Sequence, residues 1–204
     1  LNGIFMHRPE GGEFTMVSTD GHRLMQRRMG DVAGTKGMPG IIVPRKAIHA
    51  LLAMLKPVYD GKGKTKVRVS PESVRVTVNC VKVKFTFGDY ELVTKLIDGT
   101  FPDYQRVIPT GNDKKLVLDR QTFAQAVDRV STISTERGRA VKLNIDADTV
   151  RLAVNNPDAG QADEELPAEY SADPVEIGFN AKYLSEVLSK FPAGDITVSL
   201  NDGG

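Results

Sequence analysis

The feature that most constrains this chain is a repeated unit of one amphipathic helix followed by antiparallel strands. After each of the first two helices come a strand, a short polar turn and a second strand, as in VRVSPESVRVTV and VKLNIDADTVRLAV. The apolar period changes from 3.6 to 2 within each copy, which indicates a helix followed by half-buried strands. The predicted helices span 44–56 and 120–133 and a third starts at Asn180; the predicted strands lie at 14–18, 67–69, 74–78, 81–87, 116–118, 141–145, 150–154 and 196–200. The sequence therefore predicts an α+β fold built from repeats.

The third copy of the unit is shorter than the others. It ends after one strand, and the chain starts at Leu1 without a methionine. We therefore expect these 204 residues to be part of a longer protein.

The charge of the chain is divided unevenly along its length. The whole sequence has a net charge of +1, with 27 basic and 26 acidic residues. Residues 1–112 hold 17 basic and 10 acidic side chains, a net charge of +7, and residues 113–204 hold 10 and 16, a net charge of −6. The sign changes at the turn-rich stretch 109–113, which predicts two domains, 1–112 and 113–204. Such an asymmetry favours nucleic acid or an acidic surface as a partner of the basic half, although two solvated surfaces would give the same numbers.

Motifs of catalysis and of metal binding do not fit their required contexts. Gly63-Lys64-Thr65 ends like a phosphate-binding loop, but Val58 stands where the first glycine is needed, and a helix precedes the segment. The three histidines lack metal-ligand spacing, and no G-x-S-x-G elbow is present. The carboxylates of residues 163–165 would alternate between the faces of a strand, which favours a charged surface over a metal site. We predict no enzymatic activity, no metal and no cofactor.

The cellular setting is indicated by the single cysteine and by hydropathy. Cys80 has no second cysteine in the chain with which to form a disulfide, so a reducing cytoplasm is expected. No apolar run reaches the roughly 20 residues that a membrane-spanning helix needs.

Two Asp-Gly turns are expected to expose basic, proline and aromatic groups. They lie in TDGHRL at residues 19–24 and in IDGTFPDY at residues 97–104. Both are ordinary turns by composition, and both would also suit the edge of a peptide-binding site.

Five segments together carry a resemblance to a known family. TDGHRL, VPRKAI, LIDGTFPDYQRVIP, VNNPD and IGFNAKYL, in this order, resemble the bacterial sliding clamps, the β subunits of DNA polymerase III. The resemblance implies the DNA-clamp fold, in which a protomer has three similar domains and two protomers close head-to-tail around duplex DNA. It makes residues 1–112 most of the middle domain and residues 113–204 most of the third. The implied function is non-catalytic: a processivity factor that tethers a replicative polymerase to DNA.

The resemblance also implies three sets of site residues. A groove for linear peptides from the polymerase, the clamp loader and repair proteins would use Leu1, Thr19, Gly21, His22, Arg23, Leu24, Pro102, Arg106, Val107, Asn180 and Tyr183. The residues facing duplex DNA would be Arg45, Lys46, Arg106, Arg137 and Arg139. The interface of the homodimer would use Thr132, Ile133, Asp158, Asp163 and Glu164, with the carboxylates meeting basic residues of the partner. The groove of the family is completed by a C-terminal tail that this sequence lacks, and Gly138 stands where some members have an aromatic residue.

Two other functions stay open from the residues alone. One is an enzyme acting on nucleotides or DNA ends, with a metal held by the carboxylates of residues 163–165. The other is an α+β scaffold domain without a peptide site.

Overall fold

A computed structural model describes residues 2–55, 73–134 and 140–201 of the chain. The chain divides into two compact units, Leu1–Gln105 and Arg106–Gly204. The domain boundary at 109–113 stays a prediction. The predicted strand at 67–69 and the Gly63-Lys64-Thr65 segment lie outside the described residues.

The described part of the first unit contains seven strands and one α-helix. They are β1 (Gly3–His7), β2 (Thr15–Thr19), β3 (Leu24–Arg28), β4 (Ile41–Pro44), α1 (Arg45–Met54), β5 (Arg75–Val78), β6 (Lys82–Phe87) and β7 (Tyr90–Lys95). One antiparallel sheet has the order β3-β2-β1-β4, and a second has the order β5-β6-β7. The predicted helix and the predicted strands at 14–18, 74–78 and 81–87 are confirmed within two residues at each end.

The core of the first unit lies between α1 and the two sheets. Pro44 precedes the helix and has φ −59°, a value that the helix backbone shares. Ala47 is buried in one core cluster with Val43 and Met6 of the first sheet and Phe85 of the second. Burial of the apolar side of α1, rather than capping, stabilises the helix, because its N-cap residue makes no side-chain hydrogen bond.

The second unit repeats the order of a strand leading straight into a helix. Its elements are β8 (Lys114–Asp119), α2 (Arg120–Ser131), β9 (Ala140–Asp146), β10 (Thr149–Asn156), β11 (Gly160–Pro167), β12 (Val175–Asn180), α3 (Ala181–Leu188) and β13 (Asp195–Leu200). The larger sheet has the order β11-β10-β9-β12, and β13 pairs with β8. The helices predicted at 120–133 and from Asn180 are confirmed, as are the strands between and after them.

Polar side chains at the strand ends start both helices of the second unit. The Oδ1 of Asp119 accepts from the Thr122 backbone N–H at 2.7 Å, and the Oδ1 of Asn180 accepts from the Lys182 N–H at 3.0 Å. Each bond satisfies a backbone donor that the first helical turn leaves unpaired. The two helices pack over one core, in which Phe123 is the largest fully buried side chain. The α+β class is therefore confirmed, with mixed helices and antiparallel sheets in both units.

The substitution Phe123→Ala should lower the free energy of unfolding of the second unit by about 3–5 kcal/mol, because it removes a buried ring and leaves a cavity. Phe191→Ala is the matched control, since that ring is 45% exposed, and its effect should stay within about 0.5 kcal/mol. Urea unfolding followed by circular dichroism measures both. Equal losses in the two variants would contradict this account of the core.

Candidate functional site

The turn between β2 and β3 is fixed by its own side chains. The Oδ1 of Asp20 accepts from the backbone N–H groups of His22 at 3.1 Å and Arg23 at 3.0 Å. The Thr19 hydroxyl donates to the Arg23 carbonyl at 2.9 Å. Gly21 has φ +88°, a conformation that favours glycine. The turn therefore holds the predicted site residues 19–24 in one defined arrangement.

The carboxylate of Asp20 also pairs with the guanidinium beside it. Its Oδ2 accepts from Arg23 Nε at 3.1 Å. The two backbone N–H groups, and then the guanidinium, hold the pKa of Asp20 below its usual value, because all of them stabilise the charged form.

Thr19 and Leu24 lie on one face of the first sheet. They pair directly across β2 and β3, and Gln26 follows Leu24 by two residues on the same face. The register continues from Gln26 to Val17 and on to Phe5 of β1. This face carries the side chains that contact the segment after β7.

Aromatic contacts attach the segment after β7 to this face. The rings of Phe5 and Phe101 are stacked with centroids 4.8 Å apart. The hydroxyl of Tyr104 lies 3.0 Å from His7 Nε2 and accepts from Gln26 Nε2 at 3.4 Å. Burial lowers the pKa of His7, so its imidazole is mainly neutral at pH 7 and suits this uncharged contact. The FPDY motif therefore places residues 101–104 firmly against β1 and β3.

Three further predicted groove residues lie beside these aromatic anchors in the chain. Pro102 is exposed between Phe101 and Tyr104, and Tyr104–Val107 forms a short 3-10 helix that carries Arg106. The Val107 side chain is 68% exposed. An apolar side chain this accessible at a fixed position is suited to contact another apolar group.

The remaining groove residues belong to the second unit or lie outside the described chain. Asn180 and Tyr183 are brought together at the start of α3, where the Oδ1 of Asn180 accepts from the Tyr183 N–H at 3.4 Å. The cap occupies the Oδ1, so a contact from Asn180 to a peptide falls to its Nδ2 donor. Leu1 lies outside the described residues.

Two of the residues predicted to face DNA open helix α1. Arg45 and Lys46 are exposed, and the first turn contains no acidic residue. Cations at the positive end of a helix dipole disfavour the helix itself but strengthen its attraction for an anion. Arg45 Nε also lies 3.5 Å from Nε2 of His49, one turn further along the exposed side. Arg137 and Arg139 lie outside the described residues.

The residues predicted for the dimer interface lie near one edge of the larger sheet in the second unit. β11 is an edge strand, and the Glu164 carboxylate on it accepts from Nε and Nη2 of Arg129 of α2, at 2.9 and 2.5 Å. Asn156 donates to the Ile133 carbonyl at 2.5 Å and accepts from the Asp158 N–H at 3.0 Å. Thr132 directly precedes Ile133, so the structure links the end of α2 to the β10–β11 hairpin.

Two of the three carboxylates predicted to meet a partner, Asp163 and Glu164, already have partners in their own unit. Asp163 lies 3.0 Å from a guanidinium nitrogen of Arg151, which is on the neighbouring strand β10, two residues from the position directly opposite Asp163. Arg129 lowers the pKa of Glu164 through its hydrogen bonds. A basic residue of another subunit would therefore share these carboxylates with Arg129 and Arg151.

The acidic run itself is divided between two faces of β11. Glu164 lies on the side of α2, and Asp163 and Glu165 point the other way. Within residues 2–55, 73–134 and 140–201 no group of three His, Cys, Asp or Glu side chains could hold a metal ion. None of the helices in these ranges has the length and apolarity to cross a membrane.

Comparison with known families decides the relationship. The model of the DNA polymerase III beta subunit, central domain, matches residues 1–103, and that of the C-terminal domain matches residues 105–204. The chain belongs to the β subunit family of DNA polymerase III. The resemblance inferred from the five sequence segments is thereby confirmed.

The proteins to which this chain is similar are longer than the chain itself. The beta sliding clamp of Caulobacter vibrioides is 47% identical over 194 residues, covering 93% of this chain and 49% of the relative. The beta sliding clamp of Escherichia coli K12 is 34% identical and covers 99% of this chain and 51% of the relative. A crystal structure of a sliding clamp from Bartonella birtlesii bound to griselimycin has a TM-score of 0.86 and 45% identity, and covers 99% of this chain and 52% of that one. The chain spans about half the length of the sliding clamps it matches.

Sequence reasoning missed the residues that support the candidate site. Phe5, His7 and Gln26 hold Phe101 and Tyr104 but lie 75 to about 100 positions from them in sequence, so local spacing gave no signal. Phe5 and His7 are two residues apart on one strand, so their side chains lie on the same face of the sheet. This spacing was the indication in the sequence that another segment packs against that face.

The turn at residues 19–24 should loosen at acid pH. The folded pKa of Asp20 is lowered, so its carboxylate stabilises the turn above the ordinary pKa near 3.8, and this contribution is lost as the pH falls through the folded pKa. Amide ¹⁵N chemical shifts of His22 and Arg23 should report this below about pH 4. The control is Asp20→Asn, which keeps an oxygen acceptor and should remove the pH dependence. Unchanged shifts of the unsubstituted chain down to pH 2 would contradict the arrangement.

Proposed function

We propose that this chain provides the middle and third domains of a sliding clamp, with residues 1–112 and 113–204 as those domains. Such a clamp is a non-catalytic processivity factor that encircles duplex DNA and tethers a replicative polymerase in the cytoplasm. The observation that carries the proposal is the match of the two family models, in order, over residues 1–103 and 105–204. The named relatives are sliding clamps, and the Bartonella birtlesii clamp was solved with griselimycin bound.

The surfaces proposed to bind peptides are the turn at residues 19–24, the segment at residues 101–107 and, in the second unit, the start of α3. Leu24, Pro102 and Val107 offer apolar surface to a hydrophobic anchor of a partner peptide. Arg23 and Asn180 offer donors to its backbone or carboxylate. The remaining members of the proposed set are Leu1, Thr19, Gly21, His22, Arg106 and Tyr183. The partners proposed for it are linear segments of the polymerase, the clamp loader and repair proteins.

Contact with duplex DNA is proposed through basic side chains alone. Arg45 and Lys46 at the positive end of α1 support this role, and Arg106, Arg137 and Arg139 complete the set. Phosphate contacts carry no sequence information, so they permit sliding along any sequence.

Closure of the ring is proposed through the edge of the second unit. Thr132 and Ile133 offer the end of α2, and Asp158, Asp163 and Glu164 offer acidic groups on the neighbouring hairpin. The intact protein would form a homodimer through this edge and the first domain of the partner.

The topological part of the proposal is tested on the full-length protein. The clamp, loaded on circular DNA, should stay bound through gel filtration and should be released when a nuclease linearises the circle. A ring is held by topology rather than by contacts, so linearisation alone should free it. Equal release from circular and linear DNA would reject encirclement.

The groove is tested by two neighbouring residues on opposite faces of β3. Leu24→Ala, or Arg23→Ala in the adjoining turn, should weaken binding of a polymerase-derived peptide by about 1–2 kcal/mol, as the loss of a hot-spot side chain does. Met25→Ala is the matched control, because Met25 points to the other face of the strand. Isothermal titration calorimetry measures all three variants. The same affinity in Leu24→Ala and Met25→Ala would remove Leu24 from the groove.

A further inference from the structure

We propose that the outer face of the β5–β6–β7 sheet binds the phosphate backbone of nucleic acid, at a surface separate from helix α1. This outer basic face carries Arg75, Lys82, Lys84 and Lys95. The proposal goes beyond the clamp function, which assigns DNA contacts to other residues.

Strand register determines which side chains share this face. Lys82 pairs directly with Lys95 across β6 and β7, and Lys84 pairs with Val93. Val83 and Phe85, which alternate with these lysines on β6, are buried in the core. The basic side chains therefore all project from the side of the sheet that faces away from the core.

The positive charge of the outer basic face is largely uncompensated. Glu91 is the acidic residue on this side of the described strands, and its carboxylate pairs with Lys84 at 3.0 Å. Within the described parts of the chain, Arg75, Lys82 and Lys95 make no ion pair. Like charges directly opposite each other disfavour strand pairing, so Lys82 and Lys95 do not serve the stability of the sheet.

The turn before β6 holds the backbone of one of these cations in place. The Oδ1 of Asn79 accepts from the N–H groups of Val81 at 2.9 Å and Lys82 at 2.7 Å. The Asn79 N–H in turn donates to the Lys82 carbonyl at 3.0 Å. A cation on a fixed backbone loses less conformational freedom when it binds an anion.

The outer basic face cannot share one DNA contact with α1. Ala47 of α1 packs in the same core as Val83 and Phe85, which occupy the inner face of the β5–β6–β7 sheet. The outer basic face is therefore on the opposite side of this sheet from α1. A duplex lying against Arg45 and Lys46 leaves it uncovered, so the nucleic acid bound here is a second segment.

The chemistry of the outer basic face favours nucleic acid over an acidic protein segment. The cations are spread over three strands about 5 Å apart, and Thr77 and Thr86 add hydroxyl donors between them. Among the described residues of this face the exposed large apolar side chain is Val93, so these residues offer little apolar surface to a peptide anchor. The described strands β5, β6 and β7 place no aromatic side chain on this face, so the contacts are to phosphate and independent of sequence.

The test measures binding of a fluorescent 20-base-pair duplex to the 204-residue chain between 50 and 200 mM salt. Lys82→Gln with Lys95→Gln should weaken binding about tenfold at 50 mM and lower the slope of log affinity against log salt by about 1.8, the value for two lost phosphate contacts. The matched control is Lys36→Gln with Lys115→Gln, which removes the same charge from exposed positions elsewhere and should change binding less than twofold. Thermal unfolding confirms that each variant is folded.

Two further measurements separate this inference from the proposed clamp function. Arg45→Gln with Lys46→Gln tests the α1 contact: unchanged binding in that variant would reject α1 as DNA-facing and leave the outer basic face intact. A poly-glutamate peptide tests the other class of partner. The inference is overturned if Lys82→Gln with Lys95→Gln behaves like the control, or if only the peptide responds to that variant.

Discussion

The proposed peptide site depends on one contact, the packing of Phe101 and Tyr104 against the face of the first sheet that carries Phe5 and His7. Without these contacts, residues 101–104 would lose the aromatic packing and the Tyr104 hydrogen bonds that hold them against the first sheet. The stack also explains why this segment has one aromatic residue before Pro102 and another after it. The two rings pack against the sheet, and the residues between and after the rings are left exposed. A rigid scaffold that positions a short exposed loop is the usual design of a binding site.

The same design recurs in the helices. In all three copies of the repeat a strand runs directly into a helix, so the first helical turn is placed by the end of a sheet rather than by a flexible loop. Asp119 caps α2 and Asn180 caps α3, whereas α1 begins after Pro44 with the cations Arg45 and Lys46. Cations in the first turn lower the stability of α1 itself, and the same charges favour the binding of an anion at this end of the helix.

The β11 edge of the second unit and the outer basic face of the first unit differ in how their charged side chains are paired. In the second unit Arg129 and Arg151 pair with carboxylates of the β11 edge. In the first unit the outer basic face keeps cations without partners in the described chain. The net charge of +1 conceals this difference, and only the positions of the charges show which surfaces are available to a polyanion.

From local periodicity and contiguous motifs, the sequence predicts the α+β class, the three helices, seven of the thirteen strands in the described chain, and the family. It also located the turn at residues 19–24, whose hydrogen bonds are made within five residues. The tertiary structure alone decided that Phe5, His7 and Gln26 hold Tyr104, that Glu164 pairs with Arg129, and that four basic side chains share one face of a sheet. These contacts join residues far apart in the sequence or depend on strand register, and neither is contained in the spacing of residues along the chain.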